Sequence, residues 1–372
     1  MKKISFVCET TYNLFIAIIL LFQLKQIDDI DVTFFVRNNR IKKELIDNLK
    51  TLKEINNVKE FNYSIFNDVY EKKLITVYYF SFMNYVFPFY FFNKFLQNKG
   101  EKYKFDEIYI AFPDMIERLL VRLNAKSKLF FYEDGIGNYV EFTKRFPLYT
   151  CFTEDLWSFI HFRKNKWKNV DGIFLNQPDC FDYDLIEKFK INNFVGNNMV
   201  ENALNTVFST QENTENYYSN KMVFFTQPDD KSPFLGRSYK EIEIKIINML
   251  NNEFHDSIIV RIHPRDDSII DNVKVDNSNN MFELMAKDYV DDETIMISYF
   301  STACFTPKLI YDKEPYIIFL YMLFDVDQLY RDSYKVFLDR MKKLYKSNNK
   351  IFIPKTDDEL IDSINYIKRN NT

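Results

Sequence analysis

Residues 128–142, KLFFYEDGIGNYVEF, carry the densest chemistry in the chain. An apolar run that reads as a strand ends in two adjacent carboxylates, Glu133 and Asp134, followed by Gly135 and Gly137. The sequence holds six glycines in 372 residues, so two within three positions need a local cause. A carboxylate at a strand tip can act as general base toward a hydroxyl, and glycine lets the backbone turn and a substrate come close. The same residues also suit a plain turn with solvated acids, and spacing leaves both readings open. A dinucleotide fingerprint is excluded because Val140 stands where its third glycine would be. An acid pair with no further ligands nearby in sequence does not make a metal site.

Two more strand-like runs end in reactive types. In RIHPR, His263 closes an apolar run and precedes a proline that stops the strand. Between Arg261 and Arg265 it can meet a phosphate or leaving group as acid or hydrogen-bond donor, or serve only as a cap. The other two histidines, His161 and His255, lie beside a basic run and in a loop, with no such setting. In SYFSTACF, Ser301 and Thr302 stand between a strand and a helix expected near Ala303. Hydroxyls and amides at a helix start can hold an anion, and ordinary N-capping uses the same residues. The DVD at Asp325–Asp327 resembles a metal motif but reads as a solvated helix end, and QPDD, RDD and VDDE read as loop acids.

The elements that must position these residues alternate strand and helix. ISFVC (4–8) precedes a helix over 12–24, DVTFFV (31–36) precedes RIKKELIDNLKTL, and EIYIAF (107–112) precedes PDMIERLLVRL, with Pro113 in its first turn. After a polar interval at 210–220 the pattern restarts with strands at 221–227, 257–263, 293–298 and 314–320. Helices fall at SYKEIEIKIINMLNNEF, MFELMAK and DDELIDSINYIKR. Such alternation predicts parallel sheets with helices on both faces. Ligands of these sheets bind at the carboxyl ends of the strands, where all three motifs lie.

Composition narrows the classes. With 47% hydrophobic residues there is material for sizeable cores, and a net charge of −4 argues against a general nucleic-acid binder. Four scattered cysteines fit a reduced, cytosolic protein. The stretch 74–92, LITVYYFSFMNYVFPFYFF, has spanning length but carries Asn84 and Pro88, so it reads as a buried or interface helix broken near Pro88. The basic-aromatic run HFRKNKWK (161–168) reads as a solvated connector, with contact to a membrane surface or anionic glycan as its alternative.

Taken in order, the motifs resemble the bacterial sialyltransferases, most of all glycosyltransferase family 52, the lipooligosaccharide sialyltransferase group. The resemblance rests on CETTYNLFIA at the start, YEDGIGNY, FFTQP, RIHPR, and FELM ahead of the Ser-Thr pair. It runs along most of the chain and is poorest between residues 60 and 100. It implies an α/β GT-B fold, two Rossmann-like domains facing each other across a cleft. Residues 1–155 would form the acceptor side and carry the base. Residues 156–372 would bind the donor, with the last helix available to pack back on the first domain. It further implies inverting transfer from CMP-sialic acid to a terminal galactose hydroxyl, of α-2,3 type, on a glycolipid or polysaccharide, without metal or other cofactor. By the resemblance Asp134 is the general base and His263 assists the departing CMP. Ser301 and Thr302 hold its phosphate, Glu283 the ribose, and Gly135, Arg265 and Gln227 complete the donor set. A cytoplasmic protein at the inner membrane face is implied, and a homodimer is compatible with it. The family also contains transferases of other sugars, glucosyl among them. A non-catalytic glycan- or nucleotide-binding protein is a different class of reading, against which the joint presence of Asp134 and His263 speaks.

Overall fold

A computed structural model describes residues 1–63, 86–96, 102–141, 165–208, 218, 221–228, 239–254, 257–266, 268, 270–276, 278, 280–324 and 328–370. The chain divides into two compact units. The first comprises Met1–Asn138, Phe142–Pro178 and Asp182–Ser209; the second comprises Tyr139–Glu141, Asp179–Phe181 and Thr210–Thr372.

In the first unit the described strands are β1 (Lys2–Cys8), β2 (Ile30–Arg37), β3 (Asn57–Phe61), β4 (Glu107–Ile110), β5 (Lys128–Tyr132), β6 (Gly172–Leu175) and β7 (Lys188–Lys190). They form one parallel sheet in the order β3-β2-β1-β4-β5-β6-β7. Between and after them come helices α1 (Thr11–Lys25), α2 (Lys43–Leu49), α3 (Pro88–Phe95), α4 (Met115–Leu123), α5 (Ile136–Glu141), of which only Ile136–Asn138 belong to this unit, and α6 (Asn198–Phe208). The sheet takes strands as far along as Lys190, so this unit runs past residue 155, where the sequence reading divides the chain.

The abundance of Phe and Tyr has a structural use here. One face of the sheet carries an aromatic ladder. Phe34 stacks on Phe6 at 5.1 Å, Phe6 on Tyr109 at 4.9 Å, and Tyr109 on Phe130 at 5.1 Å. Phe130 then meets Phe174 edge-on at 5.9 Å, and Phe174 stacks on Phe189 at 4.9 Å. Each such pair adds about 0.5–1.5 kcal/mol beyond area burial. Gly172 makes room for the last ring, since a Cβ there would lie 2.3 Å from Phe189. On α1, every residue from Asn13 to Phe22 is buried, which explains an apolar pattern without a polar face.

In the second unit a parallel sheet of β8 (Met222–Phe225), β9 (Ile258–Arg261), β10 (Lys274–Val275), β11 (Ile295–Ser298), β12 (Tyr316–Phe319) and β13 (Ile351–Phe352) has the order β10-β9-β8-β11-β12-β13. Its helices are α7 (Tyr239–Phe254), α8 (Phe282–Tyr289), α9 (Thr306–Tyr311), α10 (Gln328–Leu344) and α11 (Asp357–Asn370). The apolar faces of α7 and α11 meet the sheet in a core that includes Phe224, Ile247, Leu250, Val260, Ile297, Ile318, Leu360 and Ile364.

Some local expectations change. Pro113 precedes α4 rather than opening it, because the Asp114 side chain accepts the Met115 N–H at 2.8 Å as cap. Pro88 does open a helix, at the first turn of α3. Residues 74–85 of the aromatic stretch lie outside the described residues, as do His161, His255, Cys151 and Asp325–Asp327. In the basic-aromatic run, Asn165 caps a short turn of 3₁₀ helix, Trp167 is buried, and Lys166 pairs with Asp171 at 2.9 Å. That half of the run is a packed connector. Among the described residues no helix is long and apolar enough to cross a membrane.

Candidate functional site

Both sheets change direction once. In the first, β1 is followed outward by β2 and β3, and the chain then returns to place β4 on the other side of β1. In the second, β8 and β11 have the same relation. Crevices at the carboxyl ends of strands flanking such switch points are where ligands of this architecture sit. The residues singled out in the sequence gather at these ends, each group within its own unit.

At the tip of β5 the two acids have different surroundings. Glu133 is fully buried. Its carboxylate accepts the Tyr12 hydroxyl at 2.8 Å, the Asn176 backbone N–H at 2.7 Å and the Asn176 side-chain amide at 2.9 Å. It ties the start of α1 and the end of β6 to the strand tip. Asp134 is half-buried, with Asn13 Nδ2 donating to its Oδ1 at 2.7 Å. The Asp134 backbone N–H is taken up by Asn138 Oδ1. Gly135 has φ 77°, the left-handed region that a side chain resists, and it turns the chain from strand into α5. Gly137 is different: it lies within α5 with no positive φ, so the turn needs one of the two glycines.

Nearby, at the end of β1, Glu9 pairs with Arg37 at 2.9 Å and accepts the Tyr63 hydroxyl at 2.9 Å. Burial, followed by the Asp114 carboxylate, pushes Glu9 up to about 7 against the pull of Arg37 and Tyr63. The arrangement fixes the β1 and β2 ends to each other. Asn13 and Glu9 were not singled out in the sequence, though both stand in the CETTYN stretch. The signal available was Thr10-x-x-Asn13, a capping-box spacing ahead of an apolar run.

In the second unit, His263 follows β9 and is half-buried. Its backbone N–H donates to Thr226 Oγ1 at 2.9 Å, at the end of β8. Its Nδ1 accepts the Arg265 backbone N–H at 3.1 Å. A backbone N–H can only donate, so the neutral ring carries its proton on Nε2, and that nitrogen is the donor. Behind the histidine, Asp266 accepts the Thr226 hydroxyl at 2.6 Å, the Ser268 hydroxyl at 2.6 Å and Lys240 Nζ at 2.5 Å. Burial would raise Asp266, but these hydrogen bonds, led by Lys240, hold it below the usual carboxylate range. Lys240 also donates to the Gln227 carbonyl at 3.1 Å and pairs with Glu243. Asp266, read in the sequence as a loop acid, is thus the hub that anchors the His263 turn. Sequence spacing gives no hint of a partner 40 residues away.

Arg261 is committed elsewhere. It pairs with Asp276, bonds Tyr218 at 2.9 Å and lies over the Phe282 ring at 5.6 Å. Arg265, by contrast, is exposed at the turn. Gln227, at the end of β8, has a buried side-chain nitrogen without a hydrogen-bond partner, a donor suited to a ligand oxygen. Ser301 caps the 3₁₀ turn Thr302–Cys304, its Oγ accepting the Ala303 N–H at 3.3 Å. The expected helix near Ala303 is therefore this short turn, followed by α9. Glu283 stands in the first turn of α8; burial raises its carboxyl, opposed by Arg261. Gln227, His263 and Ser301–Thr302 thus end the adjacent strands β8, β9 and β11, while Glu283 stands on the helix that precedes β11. Among the described residues no group of three or more His, Cys, Asp or Glu side chains could hold a metal ion.

No protein-family model and no curated protein sequence matches the chain. Solved structures do. The α/β-galactoside α-2,3-sialyltransferase of Photobacterium phosphoreum is similar with a TM-score of 0.50 at 13% identity, over 95% of this chain and 98% of that one. The GT-B domain of a sialyltransferase from Photobacterium damselae gives a TM-score of 0.50 at 14% identity, over 95% and 100%. The calicheamicin glycosyltransferase CalG4 gives 0.52 at 9% identity, over 99% and 90%. At these identities the likeness shows the fold: two Rossmann-like units of the GT-B class.

Proposed function

We propose that the chain is an inverting sialyltransferase, moving sialic acid from CMP-sialic acid to a galactose hydroxyl of a surface glycan in α-2,3 linkage. The observation that carries this reading is the separation of roles at the β5 tip. Glu133 is buried and held by three donors, while its neighbour Asp134 is half-buried, with the Asn13 amide donating to its Oδ1. That difference supports reading Asp134 as a base rather than as a solvated turn acid. Support comes also from the three motifs in their order. Two of the similar structures named above are bacterial sialyltransferases by title, one of them an α-2,3 enzyme for galactosides.

In this reading the first unit receives the acceptor and the second the donor. Asp134 removes the proton of the attacking hydroxyl as the bond to the anomeric carbon forms. The glycosidic bond to CMP breaks on the opposite face, and its electron pair leaves with the phosphate, which His263 hydrogen-bonds through its Nε2–H. Ser301, Thr302 and Arg265 contribute to phosphate binding, Gln227 offers its amide to a ligand oxygen, and Glu283 meets the ribose. Gly135, next to the base, presents no side chain to the acceptor. Inversion requires base and leaving-group donor on opposite faces of one carbon, which makes their alignment the central demand of the chemistry. The leaving group carries one phosphate, so its charge calls for less neutralisation than a diphosphate.

A CMP-release assay tests this. CMP formation from CMP-sialic acid is expected to be slow alone, to accelerate with a β-galactoside, and to persist in excess EDTA. Activity lost in EDTA and restored by Mn²⁺ or Mg²⁺ would point to a nucleoside-diphosphate donor. Donor binding with no CMP release under any condition would favour a binding protein.

A further inference from the structure

We propose that Asn13 is a positioning residue for Asp134, a role that rests on the reading of Asp134 as the base. The Asn13 side chain is buried and committed in two directions. Its oxygen accepts the backbone N–H groups of Glu9 at 3.3 Å and Thr10 at 3.1 Å. Its nitrogen must then point the other way, and it donates to Asp134 Oδ1 at 2.7 Å. Flipping the amide would set two N–H donors against an NH₂ and a carbonyl against a carboxylate. Asn13 is itself held by its backbone N–H, which donates to Thr10 Oγ1 at 3.1 Å in the capping box of α1. Since α1 is buried from Asn13 through Phe22, the cap has little room to move. One oxygen of the Asp134 carboxylate is therefore held by the first turn of a buried helix.

Other ionisable groups pack around this pair. Tyr12 bonds Glu133 at 2.8 Å. Tyr132, in the electrostatic reach of Asp134, is pushed well above the ordinary phenol range by burial. Burial pushes the Cys8 thiol, beside Tyr132, up to about 12. Glu9 is held near neutrality by burial and Asp114, so its own titration must be removed from any pH comparison.

Asn13→Asp separates positioning from capping. An aspartate oxygen accepts the Glu9 and Thr10 N–H groups as the amide oxygen does, and a negative charge suits a helix N-terminus. What is lost is the donor: two carboxyl groups then meet and share a proton. The expected result is a folded enzyme whose melting temperature falls at neutral pH and recovers toward acid pH, because the folded pair holds its proton more tightly than the unfolded chain, and a kcat lowered about 10- to 100-fold at neutral pH, with acceptor KM little altered. The acid limb of the pH–rate profile is expected to move up by about one unit or more, in both the wild-type and the Glu9→Gln backgrounds. A folded Asn13→Asp enzyme with wild-type kcat and an unmoved limb overturns the proposal. If Asn13→Asp does not fold, Asn13→Ala decides: a lower kcat at unchanged acceptor KM supports positioning, and wild-type kcat refutes it. Asp134→Asn, measured in parallel, keeps the two questions apart. An active Asp134→Asn enzyme means the base is misassigned, whereas an inactive one beside a normal Asn13→Asp sinks the positioning role alone.

Discussion

Asp134→Ala is expected to lower turnover by about two to four orders of magnitude, the range for loss of a positioned general base. CMP affinity should be unchanged, because in the proposed scheme the nucleotide rests on the second unit. The comparison that gives this result meaning is Glu133→Ala. That change leaves the Tyr12 hydroxyl and both Asn176 donors without their acceptor in a buried setting. Each such orphan costs about 1–3 kcal/mol, so the variant should melt at a lower temperature. Its turnover per folded molecule should nonetheless exceed that of Asp134→Ala. Kinetics on folded protein, with melting curves for both variants, check this. The assignment is reversed if Glu133→Ala is the more damaging change to chemistry while Asp134→Ala stays active.

The second large effect concerns His263. A departing phosphate gains negative charge as the glycosidic bond breaks, so an N–H aimed at it stabilises the transition state more than the ground state. From the sequence, His263 can be either an acid or a hydrogen-bond donor. The Arg265 N–H on Nδ1 argues for a neutral ring donating from Nε2, since a second proton would break that bond. His263→Ala should reduce kcat by about 100- to 1,000-fold, as loss of one transition-state donor does, and weaken CMP affinity far less. A donor with a better leaving group needs less help and should lose less. Equal losses for good and poor leaving groups would make His263 a structural residue.

Much of this organisation was legible in the sequence because local signals and tertiary demand agree. Aromatic and β-branched runs ending in turn residues marked β1, β2, β4, β5, β8, β9, β11 and β12. What escaped was short or polar. Strand β7, of sequence KFK, is held by pairing with β6 and by Phe189 on the aromatic ladder, neither of which has a local signature. The same holds for β6, which places Asn176 against Glu133, and so the end of the first unit was read too early. At the site, the acids, His263 and the Ser-Thr pair were legible as types at strand tips. The partners that orient them were not. Asn13 lies 121 positions from Asp134, and Asp266 lies 40 from Thr226, so only the fold brings them together. Gly135 could be read as a turn glycine, but whether Gly137 shared that task depended on where α5 begins.

The central claim is that a sialic acid leaves CMP and arrives on a galactose with inversion. The most direct measurement is an NMR time course with CMP-sialic acid, whose glycosidic linkage is β, and a β-galactoside acceptor. The expected product is an α-sialoside, linked at the galactose 3-position, formed in step with CMP. A β-linked product, or an inert CMP donor beside consumption of a nucleoside-diphosphate sugar, would contradict it.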